Sequence, residues 1–160
     1  MSFTDGHKKG CTLIELLVVL AVVGILAGIV LAALNSARVK GADTAIKTQL
    51  KNTYTEAEIF FHTYGNYTVG DQGATTCNSV AGDTGAVFAN DATFMSMIKA
   101  AGNLSVPGSG LSKAWCMAVA SPQGWSVSVP LKSNPAHSWC IDNRGGVIEI
   151  VGSTQAVPCQ

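Results

Sequence analysis

Clustered positive charge is scarce in this chain. Ten Lys and Arg residues balance ten Asp and Glu residues, so the formal net charge is zero. Apart from the Lys8/Lys9 pair, the cations are scattered, whereas a surface that binds a phosphate backbone collects them in a patch or stripe. The sequence therefore predicts no nucleic-acid partner.

Catalytic motifs are also missing. The chain contains no GxSxG nucleophile elbow, no phosphate-binding loop and no HExxH pair. A zinc site could be imagined from Cys77, Cys116, His137 and Cys140, but no two of these residues have a paired-ligand spacing. A calcium loop could be sought in Asp71, Asp83 and Asp91, which are too far apart for an EF-hand-like ligand run. We therefore expect neither an enzyme nor a metal or cofactor site.

Charge almost disappears from one long stretch. Residues 13–34 read LIELLVVLAVVGILAGIVLAAL, with Glu15 as the single charged side chain. As a helix this run spans about 33 Å, which is enough to cross a bilayer. A secretory signal peptide has its cleavage site after the apolar region, whereas here the small residue Gly10 precedes it. We expect the run to remain in the mature protein, with Lys8 and Lys9 favouring a cytoplasmic N terminus.

Five cysteines are present, and no two form a CxxC pair. Four of them lie in the polar part of the chain: Cys77, Cys116, Cys140 and Cys159. An even set with long spacings predicts two disulfides and an oxidising compartment, although spacing does not choose among the three possible pairings.

Glu15 is unusual because a carboxylate in a membrane helix costs on the order of 3 kcal/mol near the bilayer centre, and such residues commonly mark a function. If the chain were cut after Gly10, the new amine of Cys11 would lie one helical turn from Glu15. In a bundle of parallel helices, the amine of one subunit could meet Glu15 of another. Since an unpartnered buried charge is costly, such a pair specifies alignment more than it adds stability.

These features together resemble a known family. Over about Lys8 to Ala33, the chain resembles the class III leader and helix start of type IV pilins and pseudopilins. The resemblance lies in KKG, the cleavable junction after it, and the helix sequence TLIELLVVLAVVGILAG. The resemblance implies that a membrane-embedded prepilin peptidase cleaves between Gly10 and Cys11 and methylates the new amine. It also implies that the glycine is needed for cleavage, that Glu15 serves assembly, and that assembly machinery builds the subunits into a helical homo-oligomeric filament.

Two residues depart from the family pattern. Cys11 stands where phenylalanine is usual, and the proline that many members have near Ala32 is missing, since the first proline is Pro107. We therefore expect a more continuous helix. Lipidation of Cys11 is disfavoured because a lipoprotein signal has its apolar segment before the cysteine.

Gly24 and Gly28 form a GxxxG pair that permits close helix packing.

An amphipathic pattern follows the apolar run. Apolar positions recur every three or four residues, at Ile46, Leu50, Tyr54, Ala57, Phe61 and Tyr64. With Gly65 and Asn66 as a stop signal, one helix of about 80 Å is predicted from about Cys11 to Tyr64.

The rest of the chain predicts a small head. Residues 66–110 are rich in Gly, Thr, Ser, Asn and Asp, with a short helix at 91–101 that is capped by Asn90 or Asp91 and stopped by Gly102. Four strands at about 113–151, with turns at SPQG and NRGG, predict an antiparallel meander. The fold class is therefore α+β, and the resemblance implies the pilin fold.

The expected domains are a cleaved leader (1–10), an apolar helix half (11–34), an amphipathic helix half (35–64) and a globular head (65–160). The resemblance favours a disulfide between Cys140 and Cys159, like that bounding the D-region of many pilins, and a second between Cys77 and Cys116.

Three functions remain open. The first is a type IV pilin precursor, held by a single span in the inner membrane and then assembled into an extracellular pilus of a prokaryote. The second is a secretion-system pseudopilin. The third is a minor pilin for adhesion or DNA capture, with residues 66–110 as its specific surface.

Overall fold

The computed structural model describes residues 12–67, 72–77, 91–120, 123–152 and 159, and only the backbone of residues 72–76, 120 and 123. The predicted cleavage junction, Gly10 and Cys11, lies outside the described residues, as do Asp71 and Asp83. The chain divides into two units, residues 1–38 and residues 39–160.

The first helix, α1, runs without interruption over Leu13–Tyr64, 52 residues. No proline interrupts its hydrogen bonds, as the sequence led us to expect. The helix ends at Gly65, whose φ of 76° lies in the left-handed region and whose N–H donates to the Phe61 carbonyl at 2.7 Å. Glycine enters this conformation without a Cβ penalty, so the stop signal works as predicted.

A five-stranded antiparallel sheet follows chain order, β1 to β5. Its strands are β1 Gln72–Thr76, β2 Trp115–Ala120, β3 Gln123–Pro130, β4 His137–Asp142 and β5 Val147–Val151. The α+β fold class is confirmed, because a long N-terminal helix accompanies an antiparallel sheet.

The sequence predicted four strands, and it predicted that residues 66–110 form a loop with one helix. The structure has a fifth strand, β1, within that segment. The segment QGATT has no alternating apolar pattern from which a strand could be predicted. Its pairing with β2, for example Thr75 opposite Cys116, supplies the backbone partners that make it a strand. Tertiary pairing, not local preference, therefore creates this edge of the sheet.

The buried stripe of α1 is rotated slightly from the predicted one. It consists of Ile46, Leu50, Thr53, Ala57 and Phe60. Tyr54 and Phe61 are only partly buried, and Tyr64 is 63% exposed. Thr53 can be fully buried because its hydroxyl donates to the Leu50 carbonyl at 2.6 Å within the helix. Across from this stripe, Trp125, Val127 and Val129 of β3 complete the core.

The second helix, α2, spans Ala92–Ser105. Of the two predicted caps, Asn90 and Asp91, Asp91 is the N-cap, and its carboxylate accepts from Phe94 N–H at 2.9 Å. The prediction that Gly102 stops this helix is wrong, because Gly102 lies inside it. A Cβ at Gly102 would overlap the carbonyl of Gly110, so glycine is required there by the close approach of another backbone segment.

Candidate assembly site

The N-terminal half of α1 presents an apolar surface on all of its sides. Every residue from 12 to 38 is exposed in the single chain. The large apolar side chains from Leu13 to Leu31 each expose half or more of their surface, and by length and composition this helix can cross a membrane. An apolar surface of this extent requires lipid or other apolar helices around it.

Glu15 lies in the first turn of α1 and takes part in a local cap. The Thr12 hydroxyl oxygen accepts from Glu15 N–H at 3.3 Å, and the spacing T-x-x-E is that of a capping box. A carboxylate in the first turn also interacts favourably with the helix dipole. The sequence interpretation missed this role, although the signal TLIE was visible. Glu15 therefore stabilises the start of the helix within one chain, whatever else it does between chains.

Gly24 and Gly28 lie one turn apart on this exposed half. No atom lies within 4 Å of the place where a Cβ would stand on either residue. The two glycines therefore leave a shallow strip of bare backbone, which a second helix can approach closely.

Two disulfides stabilise the head. Cys77 is bonded to Cys116 with a Cα–Cα distance of 4.9 Å, and Cys140 to Cys159 with a distance of 6.0 Å. These are the pairs that the resemblance favours. Because their sulfurs are bonded, a zinc site built on Cys77, Cys116 and Cys140 is incompatible with this structure. Among the described residues there is no group of three or more His, Cys, Asp or Glu side chains that could hold a metal ion.

The two disulfides belong to opposite faces of the sheet. Cys116 is opposite Val127 in the β2–β3 register and belongs to the core beneath α1. Cys140 is opposite Ser128 on the other face and binds Cys159 near the end of the chain. One bond therefore fastens the end of β1 and the other the C-terminal segment.

A buried carboxylate supports the second disulfide. Asp142, only 2% exposed, accepts from Arg144 N–H and Gly146 N–H at 3.0 Å each through Oδ1, and from Cys159 N–H at 2.9 Å through Oδ2. Three charge-assisted hydrogen bonds satisfy the carboxylate and join the β4–β5 turn to the end of the chain. The sequence interpretation did not assign this role; the turn signal DNRGG was the only hint.

A second carboxylate fastens the loop between β3 and β4. Asp43 of α1 accepts from Lys132 N–H at 2.7 Å and from Ser133 N–H at 3.2 Å through Oδ1. These bonds connect α1 to a loop that is about ninety residues distant in sequence.

Comparison with known families identifies the N-terminal segment. Residues 6–31 match the family model described as the prokaryotic N-terminal methylation motif, which is the class III leader of type IV pilins. The match includes Gly10, Cys11 and Glu15, together with Gly24 and Gly28. The chain therefore carries an N-terminal segment of the kind that type IV pilin-like and pseudopilin precursors have. Neither the curated proteins nor the solved structures give a match.

This leader has three implications. A prepilin peptidase processes proteins that carry it, a membrane-bound machinery assembles them, and the apolar helix fits a membrane-anchored subunit. A protein with such an N terminus is structural in character.

Proposed function

We propose that this protein is the structural subunit of a type IV pilus or pilus-like filament, cleaved after Gly10 and assembled through its N-terminal helix. The observation that carries the proposal is the coincidence of the methylation motif at residues 6–31 with an apolar helix exposed on all sides. Such a surface suits a subunit that leaves lipid to enter a bundle of identical helices.

Assembly exchanges lipid contacts for helix contacts. Lipid tails are as apolar as leucine, so burial alone supplies little drive, and close packing with polar pairing must add to it. Gly24 and Gly28 permit the close packing. The methylated amine of Cys11 and the carboxylate of Glu15 supply the polar pair, which is complete between subunits only when the helices are in register.

The head is suited to the outside of the cell. Two disulfides and the Asp142 hydrogen bonds hold its edges. Disulfides persist in oxidising compartments, which agrees with a head beyond the cytoplasmic membrane.

Processing tests the proposal most directly. Coexpression with a prepilin peptidase should yield a chain that begins at Cys11 and carries one added methyl group, as measured by intact mass and N-terminal fragmentation. Gly10→Ala should block cleavage, whereas Gly6→Ala, a glycine in the same leader, should not. An intact leader, or cleavage at another bond, contradicts the proposal.

Glu15 should be required for assembly and dispensable for processing. Glu15→Gln keeps a side chain that capping boxes accept while removing the charge, so we expect normal cleavage but no filaments. Thr12→Ala removes the cap at a cost of about 1 kcal/mol and keeps the charge, so filaments should persist. The yield of sheared filaments, checked by electron microscopy, shows whether assembly needs the charge of Glu15 or only the helix cap. Normal fibres from Glu15→Gln would refute the alignment role.

Fibre length separates the pilus subunit from a pseudopilin. Long surface fibres composed mainly of this chain favour the first function, whereas short filaments confined to the cell envelope favour the second. Much of the 66–110 surface considered for a minor pilin lies outside the described residues.

A further inference from the structure

The apolar half of α1 ends at a single strong charge. After Glu15, the next charged residue along the chain is Arg38, and only the uncharged residues 35–37 separate it from Leu34. All of these residues belong to the unit formed by residues 1–38, and all of those from 12 to 38 are exposed in the single chain. The apolar surface therefore ends at a short polar border that carries a cation.

Arg38 forms no ion pair with any residue that the structure describes. Its guanidinium group is always charged and presents a rigid fork of N–H donors, which matches the oxygens of a phosphate group. The side chain is therefore available to bind a phosphate from outside the protein.

The position of Arg38 matches the thickness of a bilayer. A hydrocarbon core is about 30 Å thick, and each headgroup layer adds about 5–8 Å. Residues 13–34 cover about 33 Å as a helix, and Arg38 lies about 6 Å beyond Leu34 along α1. When the apolar run fills the hydrocarbon, Arg38 therefore falls in the headgroup layer, where the lipid phosphates are.

Arg38 shares one side of the helix with Leu31. Seven residues correspond to about 700° of helical rotation, which is about 20° short of two full turns. Leu31 is 68% exposed. A lipid whose phosphate binds Arg38 can therefore lay its acyl chain along Leu31.

We propose that Arg38 binds the phosphate group of an anionic phospholipid, in the leaflet at the C-terminal end of the span, and that this contact fixes the depth of α1 in the membrane. Charge complementarity and the continuity of Arg38 with the apolar span identify lipid as the partner. Cations at a membrane surface attract anionic lipids, and charged side chains at the ends of a span anchor it. The inference goes beyond the filament function, because it concerns the single subunit in lipid before assembly.

A tryptophan at position 31 reports which lipid lies against Arg38. The full, uncleaved chain with Leu31→Trp is reconstituted in vesicles that contain brominated phosphatidylglycerol or brominated phosphatidylcholine, and the quenching of fluorescence is compared. The chain without this substitution is the blank for the three native tryptophans. We expect phosphatidylglycerol to be preferred about fivefold, because one cation at the surface attracts an anionic lipid by that factor. Arg38→Gln should abolish the preference.

Lys40→Gln is the matched control. It removes the same charge, but the nine residues from Leu31 to Lys40 correspond to about 900° of helical rotation, half a turn beyond two full turns. Lys40 therefore lies on the other side of the helix from the reporter, and its variant should keep the preference for phosphatidylglycerol. Equal quenching by both lipids in the chain with Leu31→Trp alone, or a preference that survives Arg38→Gln, overturns the lipid contact.

Moving the charge tests the depth. The double variant Asn35→Arg with Arg38→Asn keeps the composition and places the arginine three residues, or about 4.5 Å, nearer the apolar run. If phosphate holds the arginine, the tryptophan at position 31 should move towards the membrane surface by about the same distance. Lipids brominated at different positions along the acyl chain measure this depth. An unchanged depth overturns the anchoring role.

Failure of this inference is distinguishable from failure of the proposed function. Both experiments use the uncleaved chain in vesicles and score no filaments, so a missing lipid preference leaves the filament proposal standing. Absence of cleavage after Gly10 contradicts the proposed function, whereas the lipid contact stands or falls on the quenching ratio.

Discussion

At the scale of single residues, short acidic side chains connect segments that are far apart in the chain. Asp43 binds backbone N–H groups of the β3–β4 loop, and Asp142 binds that of Cys159. Asp91 could be predicted as a cap because its partner, Phe94, is three residues away. Asp43 binds the N–H of Lys132, which is 89 residues away, so no local sequence pattern predicts this hydrogen bond.

Partial burial and the nearby Asp91 raise the pKa of Glu56, which should make the stability of the fold depend on pH. The pKa of Glu56 is raised above its ordinary value of 4.5, so the folded state binds this proton more tightly than the unfolded state does. The contribution of this proton to the free energy of unfolding is therefore fully present below pH 4.5, and it is lost as the pH rises through the shifted pKa of Glu56. Glu56→Gln removes the titrating group, and we expect a flatter profile of melting temperature against pH, with the variant more stable than the parent at neutral pH.

Thermal unfolding of the full chain in detergent from pH 4 to pH 8 measures this effect. Glu15→Gln, in the other unit, is the control and should keep the slope of the parent protein. Superimposable profiles for Glu56→Gln and the parent would show that the titration of Glu56 does not influence stability.

At the scale of elements, the helices could be predicted more completely than the strands. Apolar spacing located α1, and the Gly65 signal located its end. The buried stripe was misplaced at Tyr54, Phe61 and Tyr64. Thr53 is buried beside Tyr54 because its hydroxyl bonds inside the helix, which a polar–apolar pattern does not record. The extent of α2 was misjudged because Gly102 serves close packing against Gly110 instead of helix termination.

Gly102 should therefore resist substitution although it lies in a helix. Alanine has a better helix propensity by about 1 kcal/mol, but a Cβ here meets backbone that cannot move aside cheaply. We expect Gly102→Ala to lower the free energy of unfolding by about 1–3 kcal/mol.

Gly41→Ala is the matched control. Gly41 lies inside α1, and no atom lies within 4 Å of its Cβ position. The same substitution there should be neutral or stabilising by up to about 1 kcal/mol. Chemical denaturation of both variants measures the contrast, and equal effects at the two sites would contradict the packing argument.

At the scale of the whole molecule, two disulfides join segments that are distant in the chain. The bond between Cys140 and Cys159 spans 19 residues, so its removal should cost about 3 kcal/mol. The double variant Cys140→Ser with Cys159→Ser should also lose the anchoring of the chain end at Asp142. Cys11→Ser is the control, since the odd cysteine has no place in the two described bonds. Denaturation midpoints and thiol alkylation of the two proteins check this prediction, and equal midpoints would refute it.

The sequence by itself determined the properties that depend on near neighbours and on composition. These are the apolar helix long enough for a membrane, the leader motif, the stop at Gly65, a cap at Asn90 or Asp91 and the α+β class. Only the tertiary structure decided strand β1, the anchoring roles of Asp43 and Asp142, and the close approach of Gly102 to Gly110. The physical reason is range: caps and helical periodicity act within a few residues, whereas strand pairing and buried carboxylate contacts join segments whose proximity exists only after the chain has folded.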